Sequence, residues 1–409
     1  MQGLAPLLTA SLSDHKGRRP VLLVSLLLYI GVNIGLALQT SYPALFVLRC
    51  FQSFGSSGCA VIATGIVADL VPRHERGKYM AYASMGVSLG PSLGPVLGGV
   101  ITHLAGWRGN FWFLVIWAGT MELVILTALC ETCRAVVGNG SVPPPRWNRP
   151  LYQTLVHKFD RAPDHSTVVQ FQRRPTVFDG VRLALDKEVG LLVLFGTVTF
   201  CSSIIVLSTL PTLLERTYGF NALQIGLSYL PYSCGAIAVR WTAGWLSDYN
   251  FRRHALRAEV EIVRNQQARL ANIPLEKARL QLTLPFAYAA CVFMVVYAWL
   301  IRNEVHMAGP LVTMFFLGNA NGGTNSTLTS LLIDIHSKRP ATVMSSLNLF
   351  RFLCGAGTVA AAMPLVEVIG IGWVGTIVAL TLVLASPSLW VVYFKGHDWR
   401  KGKDREQEA

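Results

Sequence analysis

Charge is what this sequence has least of. Aspartate, glutamate, lysine and arginine together make up 14% of its 409 residues, where soluble domains average about 25%. Acidic residues are scarcer than basic ones, 22 against 35. The eight cysteines are scattered through apolar runs, so they do not form the paired spacing of a secreted disulfide framework. Cys130 and Cys133 make one C-x-x-C with no further ligands nearby, which is too little for a redox or metal site. No nucleophile–base set, metal cluster or phosphate loop is present, so the sequence offers no enzyme chemistry. The start carries no cleavable signal peptide.

What replaces charge is long apolar runs, at 21–38, 187–213, 282–301 and 370–394 among others. About 20 apolar residues span a bilayer as a helix, so the expected solvent is lipid. Ten spans are expected, near 20–39, 43–70, 78–103, 108–130, 187–213, 221–247, 282–301, 307–333, 341–367 and 370–394. Residues 1–12 are apolar but too short to cross, and read as the second half of a helix whose first half is absent. Two polar stretches interrupt the spans. Residues 131–186, with Pro143-Pro144-Pro145, read as a loop between halves. Residues 248–281 are basic, and 254–271 reads equally as a surface amphipathic helix or a solvated loop.

The net charge of +13 fits basic cytoplasmic loops better than nucleic-acid binding. With the loop after residue 12 placed inside, all but six of the 35 lysines and arginines fall in cytoplasmic segments. The exceptions are Arg108, Arg216 and Arg302 outside, and Arg49, Arg240 and Arg351 within spans. The C-terminus is therefore cytoplasmic. The expected organisation is an N-terminal lobe at 1–130, the loop 131–186, a C-terminal lobe at 187–394 and a tail at 395–409.

The halves echo each other. Leu12-Ser13-Asp14 before Arg18-Arg19 matches Leu246-Ser247-Asp248 before Arg252-Arg253. Ala68-Asp69-Leu70 and Ile333-Asp334-Ile335 each close a span before a basic loop. Such duplication is the mark of a two-lobed carrier with its site between the halves. In Asp14-His15-Lys16-Gly17-Arg18-Arg19, Gly17 permits a tight turn and Asp14 is placed to pair with basic groups or cap a helix. These residues, with Asp69, Asp248 and Asp334, are expected to form a cytoplasmic latch.

This segment resembles the signature loop of the major facilitator superfamily. Ala10 and His15 stand where the family has Gly and Arg, and Phe251 replaces the turn glycine of the second copy. Leu45…Arg49-x-x-Gln52-x-x-Gly55 resembles the family's fourth-helix motif, whose arginine the resemblance associates with proton coupling; Ser53 departs from its glycine. Gly86, Gly90, Gly94 and Gly98 recur on one helix face, with Pro91, Pro95 and Gly99 among them. That face is smooth enough for close helix approach, and each proline removes a backbone donor and is expected to kink the helix. The pattern resembles the antiporter motif of exporters.

Glu131-Thr132-x-Arg134, Val137-Gly138-Asn139-Gly140-Ser141 and Asn348-Leu349-Phe350-Arg351 resemble fungal twelve-helix drug:proton antiporters. The resemblance covers nearly the whole chain, apart from the first helix and part of the second. It implies an all-helical fold of two six-helix bundles and export of drugs, toxins or secondary metabolites, driven by the proton gradient with no bound cofactor. Partners would be the substrate, protons and lipid, for a monomer without nucleic acid, with the plasma membrane preferred to the vacuole.

Glu122 lies mid-span, where a carboxylate is costly unless protonated, paired or wetted; it is a candidate proton site, with Arg49 tuning it. Asn321, Asn325, Asn348 and Arg351 are candidate cavity residues. Two other readings stay open: a non-transporting sensor on the same fold, and an inactive truncated carrier.

Overall fold

The computed structural model describes residues 1–71, 76–138, 142–150, 185–257, 275–335 and 340–408. Within helices some side chains fall outside that description too, including those of Asp14, Gly86, Pro91 and Asp248. The expected surface helix at 254–271 lies almost wholly outside the described residues, as do Lys338 and Arg339. The described residues are helical with no strand.

The elements are α1 (Ala5–Lys16), α2 (Arg18–Leu38), α3 (Tyr42–Leu70), α4 (Arg76–Ala128) and α5 (Arg134–Val137), then a 3-10 turn at Arg146–Asn148. After these come α6 (Lys187–Tyr218), α7 (Ala222–Ser228), α8 (Leu230–Arg257), α9 (Leu275–Arg302), α10 (Ala308–Ile335), α11 (Pro340–Ile369) and α12 (Ile371–Glu408). All ten expected spans fall on these helices. Among the described residues, eight helical stretches are long and apolar enough to cross a membrane. One of them lies in α4, which holds two expected spans in one run; α10, with Asn319, Asn321 and Asn325, is not among the eight.

In lipid the backbone must satisfy itself, which leaves helices as the economical answer to such runs. Their ends carry local signals. Gly106, with φ 71° and ψ 174°, is the one non-helical residue inside α4 and divides its two spans. The helix runs through Pro91 and Pro95 without a break in its dihedral angles. Gly219, at φ 64°, ends α6, with its N–H and that of Phe220 returning to the carbonyls of Glu215 and Leu214. Asn221 and Gln224 then form a reciprocal capping box on α7.

The chain divides into two compact units, Met1–Thr176 and Val177–Ala409. In the first, α2 packs against α3 and α4, and α1 against α3. Val32, Leu36, Ala37 and Phe111 form its apolar cluster. In the second, α8 and α9 pack against α10, α9 against α12, and α6 against α11 and α12. Two apolar clusters fill that unit, one around Leu192, Leu328 and Leu347, the other around Leu210, Met294, Tyr297 and Leu317. Outside, large apolar side chains stand exposed, Val368, Leu104, Trp241 and Leu384 among them; that surface suits lipid rather than water.

The tightest helix contact is α8 on α10. A Cβ on Gly235 would overlap the Phe315 carbonyl, and one on Gly318 the Tyr232 carbonyl. Backbones this close need small residues, as membrane helix interfaces generally do. Gly318→Ala is expected to lower the thermal unfolding temperature of the purified protein, at a cost of about 1–3 kcal/mol. Gly357→Ala, which meets nothing within 4 Å, should leave it unchanged; equal behaviour of the two variants would contradict this packing.

Candidate functional site

A polar cluster surrounds the start of α2. Gly17, at φ 106° and ψ 155°, turns the chain from α1 into α2. The N–H groups exposed at that start are taken up by Glu131, just beyond α4. Its carboxylate accepts from the backbone of Arg18 at 2.8 Å and Arg19 at 3.3 Å. It also accepts from the Thr132 and Cys133 N–H groups at 3.0 and 2.9 Å, and from Asn148 Nδ2 at 2.8 Å. A carboxylate at a helix N-terminus is favoured by both hydrogen bonding and the helix dipole. Glu131 fills the space where a Gly17 Cβ would stand. The glycine is thus required by its positive φ and by the carboxylate beside it.

Two arginines leave this turn in different directions. Arg18 crosses α3 over Gly65, donates from Nε to Asp69 Oδ2 at 3.1 Å and from Nη1 to Ser13 Oγ at 2.7 Å. Arg19 is buried and donates to the Leu126 carbonyl at 3.1 Å and to Asn148 Oδ1 at 3.4 Å. Of the residues expected to form a latch, Gly17, Arg18 and Arg19 lie at this turn, and Arg18 meets Asp69. Asp14 lies on α1, but its side chain is outside the described set.

The second unit repeats the pair with a correction. Asp334 closes α10 and accepts from Arg279 Nε at 3.2 Å and Nη2 at 3.0 Å. The arginine that answers Arg18 is thus Arg279, near the start of α9. The loop inserted after Asp248 moves the next helix start to Leu275, and the partner moves with it. Arg253 is exposed.

Deeper in the first unit, Arg49 Nη1 donates to Gln52 Oε1 at 2.9 Å and Gln52 Nε2 to Asn33 Oδ1 at 2.6 Å. Asn33 Nδ2 donates to the Tyr29 carbonyl at 2.7 Å. The Arg49 guanidinium also lies 5.0 Å from the Phe111 ring centroid, a cation–π contact. Glu122 is 6% exposed, and neither carboxylate oxygen has a hydrogen-bond partner among the described residues. Arg49 and Glu122, expected to act together, are not joined by a hydrogen bond among the described residues. Arg19 reaches the Leu126 carbonyl, one turn further along α4 than Glu122. Along the α4 glycine face, Gly90 and Gly94 would meet nothing within 4 Å, and Gly98 only Asn110 at 3.7 Å.

In the second unit Arg351 is 8% exposed and donates from Nε to the Gly196 carbonyl at 3.3 Å and from Nη2 to Asn325 Oδ1 at 2.6 Å. Asn321, one turn before Asn325, is 4% exposed with both amide atoms unpartnered. Asn348 is half-buried, three residues before Arg351. Asn319 instead donates to the Gly235 carbonyl at 3.4 Å, holding α10 on α8. Arg216 pairs with Glu367 at an exposed position.

The sequence profile described as Major Facilitator Superfamily matches residues 1–359. The chain belongs to the major facilitator superfamily. It is a multi-pass membrane transporter of that group. It is 42% identical over 400 residues to MFS-type transporter R5 of a Phoma species, covering 98% of this chain and 76% of the relative. It is 42% identical over 401 residues to MFS-type transporter clz19 of Cochliobolus lunatus, with 98% and 76% covered. It is 29% identical over 421 residues to Citrate exporter 1 of Aspergillus niger, covering 100% of this chain and 79% of the exporter. The crystal structure of the human organic anion transporter MFSD10 matches with a TM-score of 0.58 at 20% identity, covering 95% of this chain and 80% of that one. At that identity the likeness concerns the fold.

Glu131 and Arg279 were missed as site residues by sequence reading. Glu131 follows the last apolar residues of a span, and a lone glutamate there reads as a loop residue. Arg279 is hidden by the insertion before it.

Gly17→Ala and Glu131→Gln are each expected to lower thermal stability, the latter by about 1–2 kcal/mol for a lost charged cap. Because both act on one turn, the double variant should lose less than the sum. A double-mutant cycle read by thermal unfolding in detergent checks this, and strict additivity would contradict the coupling.

Proposed function

We propose that this major facilitator transporter is a proton-driven exporter, moving protons inward and a small organic molecule outward by alternating access. Glu122 carries the reading. A mid-span carboxylate with neither oxygen bonded by the described residues is costly as an anion in hydrocarbon, and a proton removes that cost. A group that is neutral in one state and charged in another gives the two states different proton affinities, which is what coupling requires. Arg19 acts on Glu122 and also belongs to the Glu131 turn, so the proton site and the latch share a residue. The antiporter-like glycine and proline pattern from Gly86 to Gly99 and the Aspergillus relative named as an exporter support the outward direction. Arg49, resembling the fourth-helix arginine, holds the neighbouring polar chain that accompanies proton movement. Drugs, toxins and secondary metabolites are the substrate group implied by the fungal antiporter resemblance, at the plasma membrane.

In vesicles containing the full native chain, an imposed pH gradient should drive substrate efflux. Glu122→Gln should abolish that drive while leaving downhill exchange of labelled for unlabelled substrate in place. Full pH-driven efflux by Glu122→Gln would overturn the assignment. Arg49→Ala should likewise remove proton-driven export with normal amounts of protein in the membrane, measured on the same preparations.

A further inference from the structure

Among the described residues two arginines are buried, Arg19 and Arg351, and they are treated differently. Arg19 has acidic neighbours: Glu131 and Glu122 both act on it. Arg351 has none. No charged group of the described structure acts on it, and its two hydrogen bonds go to neutral oxygens, the Gly196 carbonyl and the Asn325 amide. Its Nη1 makes no hydrogen bond within the described residues. Burying a cation in hydrocarbon without a counter-charge is costly, and intramembrane charges that persist are answered by a partner or a pathway.

The surroundings show what form that partner takes. The planar guanidinium fork matches a carboxylate bidentately, a geometry an ammonium cannot copy. Asn325 and Asn321 lie one turn apart on α10, hence on one face. Asn325 already touches the guanidinium, and the buried Asn321 amide makes no hydrogen bond of good geometry among the described residues. The Tyr232 hydroxyl stands beside both Asn321 and Ser203. The group is thus a cation backed by neutral polar side chains, drawn from α6, α8, α10 and α11 of the second unit alone.

We propose that Arg351, flanked by Asn325 and Asn321, binds a carboxylate of the transported molecule, so that this carrier handles organic acids as anions. The proposal deepens the exporter reading, since it names the substrate class for that transport. The counter-charge that Arg351 lacks arrives with the cargo. The neutral amides then receive the rest of the molecule, and they discriminate by shape and hydrogen bonding rather than by charge.

The test is equilibrium binding to the purified full chain in detergent, without a proton gradient. The probes are benzoate, malate and citrate, each beside its methyl ester, together with inorganic phosphate. At least one acid should bind and its ester should not. Arg351→Lys, which keeps the charge but loses the fork, should weaken that acid by roughly tenfold or more, and Arg351→Gln should abolish binding. Should Arg351→Gln fail to give a monodisperse protein, Arg351→Lys carries the comparison. Esters binding as well as acids, undiminished binding by the Arg351 variants, binding of phosphate alone, or binding of none of the acids would each overturn the proposal. Because no gradient is used, those outcomes leave proton-driven export standing. Intact acid binding with no pH-driven efflux would instead overturn the coupling and leave the anion site in place.

Discussion

An ionised side chain set inside a membrane helix has to be met by something close at hand, because no solvent is there to do it. The described polar structure of this transporter follows from how that demand is met. At the start of α2 most of the answer is in place, with Arg19 Nε left without a hydrogen-bond partner among the described residues. Glu131 gathers N–H groups from two chain segments, Arg18 finds Asp69, and Arg19 rests on carbonyl and amide oxygens. Arg279 and Asp334 repeat the ion pair in the second unit. Inside the spans, among the described residues, the answer is incomplete at Glu122 and at Arg351. The finished pairs hold structure, and the unfinished charges are the places proposed above for the proton and the solute.

The two units resemble each other in this logic while differing in length. In both, an arginine near the start of one helix reaches an aspartate at the end of the next, Arg18 to Asp69 and Arg279 to Asp334. The glycines do unlike jobs. Gly235 and Gly318 let α8 and α10 touch backbone to backbone. The Gly90–Gly98 face presents a bare stripe within its own unit, although its spacing is the more regular of the two. Regular spacing records that a face is smooth; it does not record what lies against it.

Helix positions were legible in the sequence because the demand that creates them is written in every residue of a span. Each of the ten apolar stretches became helix. The aspartates Asp69 and Asp334 were legible for a related reason, since an acid at a span's end beside a basic loop has few other uses. Glu131, Asn33, Gln52 and Arg279 illustrate the other class. Their roles depend largely on which groups from other segments arrive beside them, such as Asn33 beside Gln52 and Asp334 beside Arg279. The Arg252–Arg253 echo preserves the letters of the repeat, while the arginine that meets Asp334 stands on α9, beyond the insertion. The Glu122 environment was half legible: the cost of the carboxylate could be read, but that Arg19 reaches the same stretch of α4 required the fold.

The grip of Glu131 on Asn148 has a consequence for how the chain can be divided. The 3-10 turn at Arg146–Asn148 is fastened to the same carboxylate that starts α2, so these residues belong mechanically to the first unit although they lie well past its last span. A cut made to express the halves separately, or a fluorescent domain inserted between them, has to fall after Asn148. Placed earlier, it would sever the peg on which α2 hangs, and a failure to assemble would then be blamed on the separation of the halves.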